Sequence, residues 1–279
     1  MTDTSAAPGP RRKAFSVRTM PGFSSVAIVC FLALYAPIVV IVVYSFNSGN
    51  SIALWEGLSL KWYATAWQND AVQEATIRSV IIAAFASVIS TVVATMAALG
   101  TTHGGNFRGR TVIYLLINQP LMVPEIVTAV ALLIFFSMIR IATGYSGLAY
   151  LIAAHAAFCV PFAYLPIRAR LEGMDTMLEI AAADLYATPW RAFRRVTLPL
   201  MAPGIVAGAM LAFVISLDDV IITEFVKAAG QDTLPTYMLG QLRRAITPEV
   251  NAISTALLAI TVVLLTLFFI LTRKRSPKA

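Results

Sequence analysis

Long apolar runs separated by short polar stretches dominate the chain. Six of these runs, at 24–46, 77–99, 111–139, 146–167, 201–223 and 250–271, are each long enough to cross a bilayer. Lipid offers no hydrogen bonds to a backbone, so each run is predicted to be a helix and the fold to be all-α. The polar stretches show a second level of pattern. Thr176 and Glu179 have the Thr-x-x-Glu spacing of a capping box, which predicts a helix starting between the fourth and fifth runs. Thr188-Pro189 predicts a second short helix through Val196, and Leu198-Pro199 predicts its end. Residues 234–244 place Leu234, Met238 and Leu242 on one side of a further short helix, and Thr247-Pro248-Glu249 reads as the start of the last span.

Composition agrees with this reading. Of 279 residues, 58% are hydrophobic and only 13% charged, which excludes a soluble domain of this size. The expected organisation is a disordered cytoplasmic tail at 1–20, a transmembrane domain at 21–272 with a cytoplasmic loop at 172–200, and a basic tail at 273–279. Basic residues precede the first run, but that run is too long for a signal peptide and lacks a small-residue exit, so it reads as a retained span. Cys30 and Cys159 both fall inside spans and indicate no disulfide framework.

The 21 Lys and Arg residues divide fifteen to six between the two sides of this topology. The richer side holds both termini, Arg108, Arg110, Arg168 and Arg170, and the loop with Arg191, Arg194 and Arg195. It is therefore the expected cytoplasmic side. The net charge of +7 is on this account a topological signal, and no nucleic-acid partner is read into it.

Acids inside spans are the candidate chemistry. A carboxylate at mid-membrane costs on the order of 3 kcal/mol and must face protein or water. Glu125, counted along a continuous helix from Thr111, falls roughly 20 Å up the axis. It either attracts a cation in a path or bonds backbone freed by Pro120 and Pro124. In the fifth run Gly204, Gly208, Ala212 and Ser216 form a stripe of small residues suited to close helix pairing. Asp219 continues that stripe and Asp218 points about 100° away, so the two acids need different environments. One faces a path while the other caps or pairs with a cation such as Arg243 or Arg244, or both simply end the helix. His155 reads as a hydrogen-bonded packing residue. Trp55, Trp62, Tyr63 and Trp67 read as an interfacial aromatic belt, with contact to an external partner as the alternative. The chain has no phosphate-binding Gly-x-x-x-x-Gly-Lys-Ser/Thr loop, no metal-binding His-Glu-x-x-His and no nucleophile turn. It is not expected to be an enzyme, to hold a metal or cofactor, or to bind ATP itself.

In the order Glu179, Ala181, Ala182, Asp184, Leu185, then Pro189, Phe193, Val196, Leu198-Pro199 and Pro203-Gly204-Ile205, the loop resembles the Glu-Ala-Ala loop of bacterial ABC importer permeases. Ile180 stands where that motif has its Glu, and Tyr186 where it has its Gly. The Tyr44-Ser45-Phe46-Asn47-Ser48, Pro124-Glu125-Ile126-Val127 and Ser216-Leu217-Asp218-Asp219 strings are similar to the spermidine/putrescine branch. The resemblance implies a type I ABC importer permease with six transmembrane helices in the bacterial inner membrane. It implies a cytoplasmic ATPase dimer acting on the loop, a second permease subunit forming a heterodimer, and an external substrate-binding protein. It also implies Glu125, Asp218 and Asp219 as path carboxylates. Another small solute, such as an aminophosphonate or an amino-acid derivative, is the alternative cargo, and a membrane scaffold or enzyme the alternative class.

Overall fold

A computed structural model of the chain describes residues 23–51, 54–102, 108–145, 147–244 and 247–272. The expected tails at 1–20 and 273–279, and His103, lie outside the described residues. Among the described residues the chain forms α1 (Phe23–Tyr44), α2 (Lys61–Gln68), α3 (Asp70–Thr102), α4 (Arg110–Met122), α5 (Glu125–Thr143) and α6 (Leu148–Glu172). These are followed by α7 (Met177–Asp184), α8 (Pro189–Ala192), α9 (Leu198–Asp218), α10 (Ile221–Val226), α11 (Leu234–Arg244) and α12 (Pro248–Thr272). Six helical stretches are long and apolar enough to cross a membrane: Ser24–Tyr44, Asp70–Thr102, Glu125–Thr143, Leu148–Glu172, Pro189–Asp218 and Pro248–Leu267. They follow the six apolar runs in order.

The core is the packing of α3, α6 and α9, the three helices in most extensive contact. Small residues allow it. From α3, Ala83, Ala86, Ser90, Ala94 and Ala98 are buried; from α9, Gly204, Gly208, Ala212 and Ser216 are buried. The α9 stripe descends α6 rung by rung. A Cβ on Gly204 would lie 2.6 Å from Arg170 Cβ, and one on Gly208 would lie 2.6 Å from the Ala163 carbonyl oxygen. The Cys159 thiol points at the Ala212 carbonyl at 3.5 Å, and Ser216 meets His155. A smaller cluster joins Ala66, Val72, Leu234 and Ile253 from α2, α3, α11 and α12. It pins the start of α11, where the Leu234 N–H donates to Ser79 Oγ at 2.8 Å, while Leu242 at the other end stays exposed. By contrast, α1 buries almost nothing within this chain and touches chiefly α12.

Four expectations are corrected. The third run is two helices: Val123 is extended (φ −103°, ψ 141°) before Pro124, as the steric demand of the proline ring on its predecessor requires. Glu125 therefore opens α5, and its depth cannot be counted along one axis from Thr111. The fifth run breaks at Asp219 (φ −66°, ψ 133°), which puts Thr223 in α10 rather than at the end of a continuous span. Leu198-Pro199 does not stop the second loop helix. A π turn over Phe193–Thr197 leads straight into α9, with Pro199 in its first turn. Finally, Thr176 makes no side-chain cap bond; the Met177 N–H is taken by Asp175 Oδ1 at 2.9 Å.

Candidate functional site

Two helix breaks and the middle of α6 meet at one cavity. It measures about 400 Å³ and is lined by Glu125, Phe158, Phe162, Val214, Ile215, Asp218, Asp219, Val220 and Ile221. Each carboxylate arrives by a different route. Glu125 enters in the first turn of α5, where the helix dipole favours an anion. Asp218 is the last residue of α9 and is exposed. Asp219 is buried, and its side chain works as a cap: Oδ1 accepts the Ile222 N–H at 3.2 Å, and Oδ2 accepts the Thr223 N–H and hydroxyl, each at 2.9 Å. Thus the two neighbouring acids do occupy different environments.

No Lys or Arg lines the cavity among the described residues. Arg243 pairs instead with Glu224, at 3.5 Å. The titratable neighbour of Asp219 is His155, 1% exposed, with Nε2 at 3.4 Å from Oδ2. His155 also contacts Ser216 Oγ through Nδ1 at 2.8 Å and Thr223 Oγ1 through Nε2 at 2.9 Å. Sequence reasoning placed His155 as a packing residue but gave it no partners; the clue was the stripe Gly204–Ser216, which faces α6 and ends one step before Asp219. The apolar half of the cavity, Phe158 and Phe162 above all, was missed, since two aromatics in an apolar helix carry no distinguishing pattern. The cavity therefore combines three acids with aromatic and aliphatic walls, an arrangement that favours a cation carrying methylene groups.

Toward the ends of α3 and α12 nearest the α2 loop, a second set of charges is mutually satisfied. Lys227 bonds Glu224 at 2.5 Å and Asp232 at 2.6 Å. Partial burial opposes the Lys227 charge, but the hydrogen bonds to Asp232 and Glu224 outweigh it and hold the ammonium pKa above its ordinary value. Nearby, Asn47 is a hub: its amide donates to the Ser51 and Leu54 carbonyls and accepts the Gly49 and Glu56 N–H groups. Tyr63 bonds Ser45 and Trp62 bonds the Gly49 carbonyl, whereas Trp67 is 80% exposed.

The remaining candidate residues form the loop between α6 and α9, at the other end of the bundle. Ala181, Ala182 and Asp184 lie on α7, none of whose residues is buried. The helix ends in a Schellman turn, with the Tyr186 N–H on the Ala183 carbonyl (2.9 Å) and the Ala187 N–H on the Ala182 carbonyl (3.0 Å). Tyr186 takes the left-handed position at φ +57° that glycine normally fills. Leu185 and Tyr186 project at 82% and 94% exposure. Pro189 opens α8, and Phe193 stacks on Trp190 with ring centroids 5.6 Å apart. Glu179 is turned inward, its carboxylate accepting the Thr197 hydroxyl at 2.6 Å, which ties α7 to the π turn just before Leu198 and Pro199. Ile180, beside it, is exposed.

Residues 90–278 match the model of the family described as "Binding-protein-dependent transport system inner membrane component". The chain is 37% identical over 231 residues to the putrescine transport system permease protein PotI of Escherichia coli K12, covering 82% of each chain. It is 36% identical over 248 residues to the spermidine/putrescine transport system permease protein PotC of Haemophilus influenzae, covering 89% of this chain and 95% of that one. Among solved structures, it is similar to a chain of a bacterial ABC transporter that imports alginate (TM-score 0.68, 14% identity, 90% and 93% coverage) and to one of the MetNI methionine ABC transporter (TM-score 0.56, 19% identity, 76% and 94% coverage). These two likenesses establish the fold. With the six spanning helices, the exposed loop and the length of the family match taken together, the chain belongs to the binding-protein-dependent transport system inner membrane components, as a transport subunit and not an enzyme.

Proposed function

We propose that this chain is one permease subunit of an ATP-driven polyamine importer of the bacterial inner membrane, and that the acidic cavity is where the cargo passes. The observation that carries the reading is the convergence of Glu125, Asp218 and Asp219 on one cavity with no Lys or Arg among its described lining residues. Three carboxylates this close repel one another, and a bound polycation relieves that repulsion in a place where water screens poorly. A polyamine alternates ammonium groups with methylene segments, matching acids set among Phe158, Phe162, Val214 and Ile215. Putrescine and spermidine transport by the relatives supports the same choice.

The loop of α7 and α8 is the cytoplasmic handle in this reading. An ATPase dimer docks on the exposed Leu185, Tyr186 and Trp190 surface, and the Glu179–Thr197 bond passes its motion to α9, which ends at the acids. Both termini lie on the same side as the handle. A second permease subunit, a paralogue of this chain, covers the lipid-like faces left open, and a substrate-binding protein delivers cargo to the side of α2 and α11.

The test is reconstitution of the assembled complex with its ATPase and binding protein, measuring ATP hydrolysis against polyamine concentration. Polyamine should stimulate hydrolysis, and Glu125→Gln and Asp218→Asn should each raise the half-saturating concentration by about 10-fold or more, as loss of a charged hydrogen bond implies. A flat response to every polyamine removes the cargo assignment. Unchanged half-saturation in both variants removes the path assignment.

A further inference from the structure

A break in a membrane helix needs something to hold its two halves at a fixed angle. Between α9 and α10 the continuous backbone ladder is interrupted at Asp219, yet both halves carry cavity residues: Val214, Ile215 and Asp218 on one side, Val220 and Ile221 on the other. The contact that spans the break comes from a third helix. His155 of α6 reaches Ser216 in the last turn of α9 with one ring nitrogen and Thr223 in α10 with the other. All three side chains are buried, at 1%, 4% and 0% exposure.

The direction of each bond in this chain follows from counting protons. Thr223 has a single hydroxyl proton, and it is donated to Asp219 Oδ2 at 2.9 Å. Thr223 Oγ1 must then accept from His155 Nε2, at 2.9 Å, so that nitrogen carries a proton. In a neutral ring the other nitrogen, Nδ1, is an acceptor, and the Ser216 hydroxyl 2.8 Å away is its donor. The order Ser216 to His155 to Thr223 to Asp219 closes with every member satisfied. A satisfied buried network of this kind specifies one arrangement, because any displacement leaves a polar group unpaired in an apolar core.

We propose that His155 is a positioning residue for transport: as the neutral Nε2–H tautomer it clamps α9 to α10 across their break and so aims Asp218 and the Val220–Ile221 wall into the cavity. It touches no cargo itself. The transport readout below rests on the polyamine reading; the spectroscopic one does not.

The chain has two histidines, so in a complex assembled with only this chain ¹⁵N-histidine-labelled, His103→Gln leaves His155 as the single labelled imidazole for solid-state NMR in lipid. The expected spectrum shows a protonated Nε2 and an unprotonated Nδ1, and Thr223→Val, which removes the acceptor while keeping the shape, should shift the Nε2 signal. An Nδ1–H tautomer, a doubly protonated ring, or a spectrum indifferent to Thr223→Val overturns the clamp. In the transport assay, Thr223→Val and His155→Leu should each raise half-saturating polyamine about 10-fold with a smaller change in maximal rate, and the two together should do little more than either alone. His155→Gln, which can place an amide N–H near the Nε2 position, should recover most of the loss. A lesion that only loosens the fold would instead reduce assembled complex and maximal rate at unchanged half-saturation, and that result overturns the positioning role. A wild-type complex deaf to polyamines with the expected NMR spectrum would sink the cargo assignment and leave the clamp standing.

Discussion

Tyr186 is the one residue other than glycine with positive φ among the described residues, and it sits on the most exposed tip of the handle. A bulky residue in the left-handed region costs on the order of 1 kcal/mol relative to glycine. Part of that is offset in the unfolded chain, where glycine has more freedom to lose. Tyr186→Gly should therefore firm the turn: hydrogen exchange at the Ala187 N–H, which bonds the Ala182 carbonyl, should slow by up to about fivefold, corresponding to ~1 kcal/mol. Faster exchange would mean that the tyrosine ring itself holds the turn. The position of Tyr186 was legible only through the family resemblance, since setting Asp184-Leu185 on the motif's Asp/Leu pair puts Tyr186 where the motif has its glycine. The destination of Glu179 was not. Its spacing to Thr176 pointed to a capping box, but Thr197 lies 18 residues on and is brought within 2.6 Å only by the return of the chain through α8.

At the scale of elements, the α6–α9 contact depends on the absence of side chains. Gly208→Ala would press a methyl group to 2.6 Å from the Ala163 carbonyl, a backbone atom that cannot move alone, and forcing the helices apart typically costs about 1–3 kcal/mol. Gly240→Ala in α11 meets nothing within 4 Å and should be neutral or stabilising by up to about 1 kcal/mol. Thermal unfolding of the two variants in the same detergent should move in different directions or by clearly different amounts; equal shifts would show that α6 and α9 do not pack through this stripe. The stripe was visible in sequence because its period matches the helix, and the six spans were visible because hydropathy integrates over many residues. The breaks were hidden. Apolar residues flank both, so hydropathy runs through them, and proline alone does not mark them: Pro161 and Pro166 lie inside α6, Pro203 inside α9 and Pro37 inside α1, all without ending a helix. What breaks the fifth run is Asp219, whose side chain caps α10 through donors three and four residues ahead, a pairing that local composition does not announce.

For the whole molecule, the proposed mechanism requires that motor and cargo act at opposite ends of the same helices. The described structure separates them: the α7–α8 handle follows α6 at Glu172, while α2 and α11 gather around the starts of α3 and α12. Between them run α6 and α9, with the acids near the α11 end; His155 lies seven residues into α6, roughly 10 Å along the helix from Leu148. The distribution of Lys and Arg predicts a cytoplasmic handle, as the proposed function requires. Two exposed aromatics make that assignment measurable, since Tyr186 and Trp67 mark opposite ends at 94% and 80% exposure. In a Cys30→Ser background lacking the ATPase, where the remaining Cys159 is fully buried and nothing covers the handle, a membrane-impermeant maleimide should label Tyr186→Cys in inverted vesicles and Trp67→Cys in intact spheroplasts, each protected in the other preparation. Labelling of both from one side would place handle and aromatic loop on the same face, and neither six crossings nor a cytoplasmic motor pulling on a cavity near the far end would survive it. Labelling with the two sides exchanged would keep the crossings but put the handle out of reach of any cytoplasmic ATPase.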